Sequence, residues 1–313
     1  MATPTDLQCT DSGAAGLLPN QPFLALYPHY GMLLGVDDFA TEQAYHRGKM
    51  RLHNAWLHGW GTVWGLGVGA DTTRSEIEVA AGLALDGRGR ELHNDQPQCV
   101  HVGRWFVAHR DDAGFTFTEA GDTVTFDAHV LLRHRACLTR PVPALLDTCS
   151  DGGGTAYSRV FETVEILLRP GAAPAASHRN PSLRVLSGLL DARTDAGGTV
   201  LASDQAALDA RAEIAAALPA DKLRVAAAAF HRIAVLDSIA EQPATDPDDA
   251  EAGLFPANGP AAIVLADLTG ITLQKQGDGY VLTAATVDTH VRSVLLSTAT
   301  LQALAGGFMA AIT

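Results

Sequence analysis

Apolar positions change their spacing twice along this chain. Between Asp37 and Gly59 they recur on a helical period, opened by Asp37 and Asp38 as N-cap candidates, with Glu42 close behind. The spacing predicts a helix running to Leu57 or His58 and stopped by Gly59. One face reads Phe39, Gln43, His46, Met50, Asn54, Leu57; the other carries Tyr45, Leu52, Ala55 and Trp56. Apolar residues on both sides predict a helix sandwiched between other elements. From Thr62 the period becomes two. Val63, Leu66 and Val68, then Ile77 and Val79, then Leu83 and Leu85 read as short strands, with Asp86-Gly87-Arg88-Gly89 as a tight turn. Cys99 to Ala108 reads as a further strand. Val124, Phe126, Ala128, Val130 and Leu132, and again Val164, Ile166 and Leu168, predict two longer strands with one buried face each, separated by a loop from Arg140 to Ala156.

The stretch Pro170 to Pro181 is a composition break and reads as a linker. Helices are expected over Ser182 to Ala192, over Ser203 to Leu218 with Ser203 and Asp204 as caps, and from Lys222 to about Glu241 behind Asp221. The acidic, proline-bearing stretch from Gln242 to Pro260 reads as a solvated loop. Strands return at Ile263–Leu265, Ile271–Gln274 and Tyr280–Thr283 around a Gly277-Asp278-Gly279 turn, and a final helix is expected from Thr298 to Met309. The fold class is therefore α+β. An N-terminal helix packs on a mainly antiparallel β core, followed by a helical middle segment and a small β/α tail. The expected organisation is an arm over 1–22, a helix-plus-β core domain over 23–169, linker and helices over 170–258, and the tail over 259–313.

Composition narrows the function classes. The chain has 313 residues, of which 47% are hydrophobic and only 18% charged, enough apolar content for a real core and for surface buried against partners. Mean hydropathy is +0.08. A net charge of −13 argues against nucleic acid and against anionic lipid, since both need a basic face. The first residues lack the basic and apolar regions of a secretory leader. The greasiest stretch, Val225 to Leu236, holds His231 and Arg232 and is too short to span a bilayer. Cys9, Cys99, Cys137 and Cys149 form no CxxC pair and are read as buried, inert thiols in a cytoplasmic, reduced protein.

Candidate chemistry is thin. Glu42 and His46, at i,i+4, share a helix face, but His53 lies ~10 Å further along the axis at 1.5 Å per residue, too far to join them on one metal. His53 and His58 are expected on different sides of the helix. The glycines at 59, 61, 65, 67 and 69 follow a helix and precede a strand, the reverse of a dinucleotide fingerprint, and His46-Arg47-Gly48-Lys49-Met50 lacks the parts of a P-loop. There is no nucleophile elbow. Trp56, Trp60 and Trp64, four residues apart, read as core, with an interface as the rival.

Several phrases carry a resemblance. They are Gly31-Met32-Leu33-Leu34 with Asp38-Phe39, Glu42-Gln43 and Tyr45; Leu52-His53-Asn54; and Leu57-His58-Gly59-Trp60-Gly61 with Gly65-Leu66-Gly67-Val68. Gly82-Leu83-Ala84-Leu85-Asp86 and Gly89-Arg90-Glu91 follow, then Pro141-Val142-Pro143, Cys149 and Ser158-Arg159. Together they span the first half of the chain, which resembles a structural component family of phage-tail-like contractile injection systems. That resemblance implies a non-enzymatic subunit of a baseplate or accessory collar that meets other subunits of the particle (baseplate, sheath or tube proteins) as an oligomer. Family members are richer in cysteine than this chain, so no bound metal and no cofactor are expected here, nor nucleic acid or membrane insertion. The resemblance also implies cytoplasmic assembly, with release in an extracellular particle. The residues expected to carry architecture or interface are Phe39, Gln43, His46, His53, Asn54, Trp56, Trp60, Trp64 and Asp86, with Gln43, His46 and Asn54 hydrogen-bonded on a buried face. Two other classes stay open: a metal-dependent enzyme using Glu42 and His46, and a β-rich carbohydrate- or surface-binding module.

Overall fold

Long alternating strands need a partner along their whole length, and the longest one here organises everything around it. The computed structural model describes residues 8–9, 18–143, 155–246, 251 and 253–303. The architecture is α+β, with an N-terminal helix, antiparallel sheets, a helical middle region and a later small β/α region. The chain forms two compact units, one from residues 1–176 with 259–313, the other from 177–258. Residues 259–313 are part of the first unit, because their strands complete the main sheet.

In that first unit, in chain order, β1 is Gln8–Cys9 and α1 is Val36–His53. The short strands are β2 (Gly61–Gly65), β3 (Val68–Asp71), β4 (Glu76–Val79), β5 (Gly82–Leu85), β6 (Glu91–Asn94) and β7 (Gln98–His101). Then come α2 (Val102–His109), β8 (Thr118–Ala120), β9 (Thr123–Pro143), β10 (Thr155–Pro170), β11 (Ala262–Gln276) and β12 (Gly279–Asp288). β9 is the spine of a six-stranded sheet. One of its edges pairs with β10 and β8, the other with β11 and β1, while β12 extends the sheet beyond β11. Two three-stranded sheets, β2-β5-β6 and β3-β4-β7, accompany it. Val124, Phe126, Ala128, Val130 and Leu132 are buried, as their alternation predicts.

The strand expected over Cys99 to Ala108 is half right. It ends at His101, whose imidazole accepts from the Arg104 amide, and the chain turns into α2. That helix buries Trp105 and Phe106, which stack with Phe126 at 5.9 and 5.6 Å between ring centroids.

Helix α1 corrects the sandwich expectation. Its buried residues are Ala44, Gly48 and Arg51, while Phe39, Gln43, His46 and Met50 face solvent. Small residues sit on the buried side because the segment before the helix lies against it. The Gln21 amide donates to the Ala44 carbonyl, and a Cβ at Gly48 would come within 2.8 Å of the Pro22 backbone nitrogen. A π-helical turn, Asn54–His58, follows α1, and Gly59 ends it at φ 80°. The wider turn brings residues five apart together. His53 and His58, expected on different sides, therefore sit with ring centroids 5.0 Å apart.

The second unit holds α3 (Pro181–Leu186), α4 (Ala202–Ala216) and α5 (Lys222–Ala240) around Val185, Ala207, Ala210, Ala229 and Ile233. The Asp237 carboxylate accepts the amides of Ser182 and Leu183 and so satisfies the start of α3. Asp204, expected as a helix cap, is fully buried in the first turn of α4. It accepts from the Ser182 hydroxyl and from the Arg193 guanidinium and amide. Residues 298–303 are helical, and the rest of the expected final helix lies outside the described residues. Among the described residues no helix is long and apolar enough to cross a membrane.

Candidate functional site

The Asp86-Gly87-Arg88-Gly89 turn is built from its own carboxylate outward. Asp86 is fully buried; one carboxylate oxygen accepts the amides of Arg88 and Arg90, both at 2.9 Å, and the other pairs with Arg90 Nε at 2.6 Å. The closed turn presents carbonyls to the end of α1. Arg51 Nε donates to the Arg88 carbonyl at 3.1 Å, and Asn54 Nδ2 donates to the Gly89 carbonyl at 3.2 Å. Gly89 has φ +67°, and a Cβ there would overlap the Arg51 carbonyl oxygen. Gly89→Ala is accordingly expected to lower the thermal stability of this unit by about 3 kcal/mol, from left-handed strain plus overpacking. An unchanged melting midpoint by tryptophan fluorescence would count against this packing.

Beside the turn lies a cleft of about 400 Å³, lined in part by His46, Arg47, Asn54, Glu91, His93 and Glu162. Two of its charged residues, Arg47 and Glu162, are paired with each other. Arg47 makes a two-pronged bond to Glu162 at 2.9 and 3.1 Å, and His134 Nε2, buried beneath, donates to the same carboxylate at 2.9 Å. The His134 bond, with Arg47 added, outweighs the opposing effect of burial and holds the Glu162 carboxyl down to about 2. With a folded pKa below the ordinary 4.5, ionised Glu162 stabilises the fold fully above that value, and the benefit is lost as pH falls towards about 2. Because the Glu162 side chain is 43% exposed, solvent screening cuts the effect to about 1–2 kcal/mol. Thermal melts of wild type and Glu162→Gln should differ most near neutral pH and converge in strong acid. A gap independent of pH would contradict the network.

The structure gathers only part of the expected set of site residues. Asn54 and Asp86 meet through the turn, and His46 lines the cleft, bonded to Glu42 at 2.9 Å but solvent-facing. Of the expected buried polar face, Asn54 alone is buried, and Gln43 and His46 are not. Trp60 is in the core, Trp56 is half-buried and Trp64 lies on the surface. His53 and Phe39 are exposed. Arg47, His134 and Glu162 escaped sequence reasoning, since no local pattern links residues 115 positions apart. Arg90, four residues after Asp86, was within reach of a turn-based reading. Among the described residues no group of three or more His, Cys, Asp or Glu is placed to hold a metal ion.

The cysteines correct another expectation. Cys9 and Cys137 form a disulfide that ties β1 to β9, Cys99 is exposed, and Cys149 lies outside the described residues. Burial, with Glu76 adding to it, pushes the Cys99 thiol up from its ordinary value, which disfavours the nucleophilic thiolate.

The segment before α1 exposes a run of apolar side chains, among them Phe23, Leu24, Tyr27, Tyr30 and Leu33. Residues 23–35 contain no strand or helix, and most of their side chains face solvent. The segment belongs to the first unit and leads into α1 as an arm. No family model matches the chain, and the search of curated proteins finds no match either.

Proposed function

We propose that this chain is a structural subunit of a contractile, phage-tail-like injection particle, associated with its baseplate and acting through protein–protein assembly rather than catalysis. The observation that carries the reading is the arm of residues 23–35. A solitary soluble protein rarely exposes more than a few hundred Å² of contiguous apolar surface, and such a surface marks an interaction site. The sequence phrases that resemble components of such particles suggest the kind of assembly. The Arg47–Glu162–His134 pairing in the cleft fits a scaffold, in which polar groups fix geometry, better than a reaction centre, in which a reactive group is left poised.

Immunogold labelling of native particles from the source cells tests the proposal. Regular labelling at one level of the particle is the expected result. Label found only in the soluble fraction, with particles bare, would refute it.

A further inference from the structure

We infer that the arm of residues 23–35 docks on a second copy of this chain, at the open strand edge beside β2. The inference rests on the assembly reading above and names the partner.

The arm leaves large apolar side chains uncovered. Tyr27, Tyr30 and Leu33 are 87%, 106% and 93% exposed, while Leu26 and Met32 are half-buried against their own chain. From Gly13 to Val36 there is no Asp, Glu, Lys or Arg. Covering Phe23, Leu24, Tyr27, Tyr30 and Leu33 would remove roughly 800 Å² from water, counting up to 250 Å² per aromatic ring and less per aliphatic side chain. A standard stable interface needs about 800 Å² from each partner. The arm alone supplies that.

The receiving surface is on the same unit. Residues 293–295 run parallel to β2: the Thr62 amide donates to the Ser293 carbonyl at 2.8 Å, and the Leu295 amide donates to the Thr62 carbonyl at 2.9 Å. In a parallel bridge the intervening residue, Val294, turns its own N–H and C=O to the opposite side. Among the described residues no backbone hydrogen bond covers that side. Val63, Trp64, Val294 and Leu296 flank it as exposed apolar side chains. An extended segment can add there as a strand, with backbone bonds giving affinity and side-chain contacts giving specificity. Phe23 to Tyr27, free of proline between Pro22 and Pro28, has the length and the amides to do so.

A second copy is the favoured partner because one chain carries both complementary halves. Copies with a net charge of −13 repel one another, and an uncharged arm on an uncharged edge is the contact that avoids bringing those charges together. Arm and edge are different surfaces, so the contact is head-to-tail and propagates into a ring or a filament.

Sedimentation of the purified full chain tests this, with two variants. One carries Tyr27→Ser, Tyr30→Ser and Leu33→Ser; the other carries Trp64→Ser and Val294→Ser. Wild type is expected to form a discrete oligomer. Each variant should be monomeric at concentrations at least tenfold higher, with unchanged circular dichroism, and a mixture of the two should form a one-to-one complex through the surviving arm and the surviving edge. Where Trp64→Ser lowers the dichroism signal, Val294→Asp alone replaces it. A wild type that stays monomeric, an arm variant that assembles normally, or variants that fail to complement one another would overturn the inference. A chain that labels particles yet is monomeric alone loses only its self-partner, whereas unlabelled particles remove the assembly reading itself.

Discussion

Replacing Asp86 with alanine is expected to destabilise the first unit by about 3–5 kcal/mol, the range for removing one member of a buried, hydrogen-bonded ion pair. The carboxylate has no solvent contact, and it serves three donors: the amides of Arg88 and Arg90 and the Arg90 guanidinium. Alanine leaves two amides and a largely buried cation without their acceptor. The loss spreads, because the turn that Asp86 closes supplies the carbonyls that receive Arg51 and Asn54. Asparagine should recover part of the loss, since its amide oxygen still accepts, while its amide nitrogen faces donors. Urea titration followed by tryptophan fluorescence isolates the effect, because all four tryptophans, at 56, 60, 64 and 105, belong to this unit. A midpoint within error of wild type would mean that the turn does not depend on its carboxylate.

The second large effect is expected in the helical unit. Asp204→Ala should cost about 3 kcal/mol there, because it strips the acceptor from the buried Ser182 hydroxyl and from the Arg193 amide and guanidinium together. Burial pushes the Asp204 carboxyl up, but the bonds from Arg193 and Ser182 outweigh it and hold the group down to about 2. Its folded pKa lies below the ordinary 3.8, so the stabilisation is complete above that value and fades as pH drops towards about 2. Hydrogen exchange reads this directly. Peptides from α3, α4 and α5 should exchange faster in the variant at neutral pH, while those from β9 and β11 keep their protection. Equal protection of α3–α5 in both proteins would remove Asp204 from the core of this unit.

Much of the fold was legible because its signals are local. Alternation along residues 124–132 and 164–168 marks the two longest strands, and the start of α5 at Lys222 follows from the pattern and its cap. The proline-rich break after residue 170 announces the helical unit, which begins at 177. The readings that failed share a cause. Apolar residues on both sides of α1 predict a sandwiched helix, whereas Phe39 and Met50 are exposed. Hydropathy says which side chains avoid water, and says nothing about whose atoms cover them. Similarly, Asp204 has the composition of a cap, and only packing turns it into the centre of a buried network. The helical wheel that separated His53 from His58 assumed 3.6 residues per turn, and the π-helical turn changed the spacing.

The sequence by itself determined the α+β class, the order of most elements and the turn at Asp86, since each depends on neighbours a few residues away. Tertiary structure alone decided which groups meet across long separations: Arg47 with Glu162, Cys9 with Cys137, and the tail strands with β9. It also decided which apolar side chains stay uncovered. Those outcomes depend on how distant segments pack and on which unburied surface is left over, and one-dimensional spacing does not encode either.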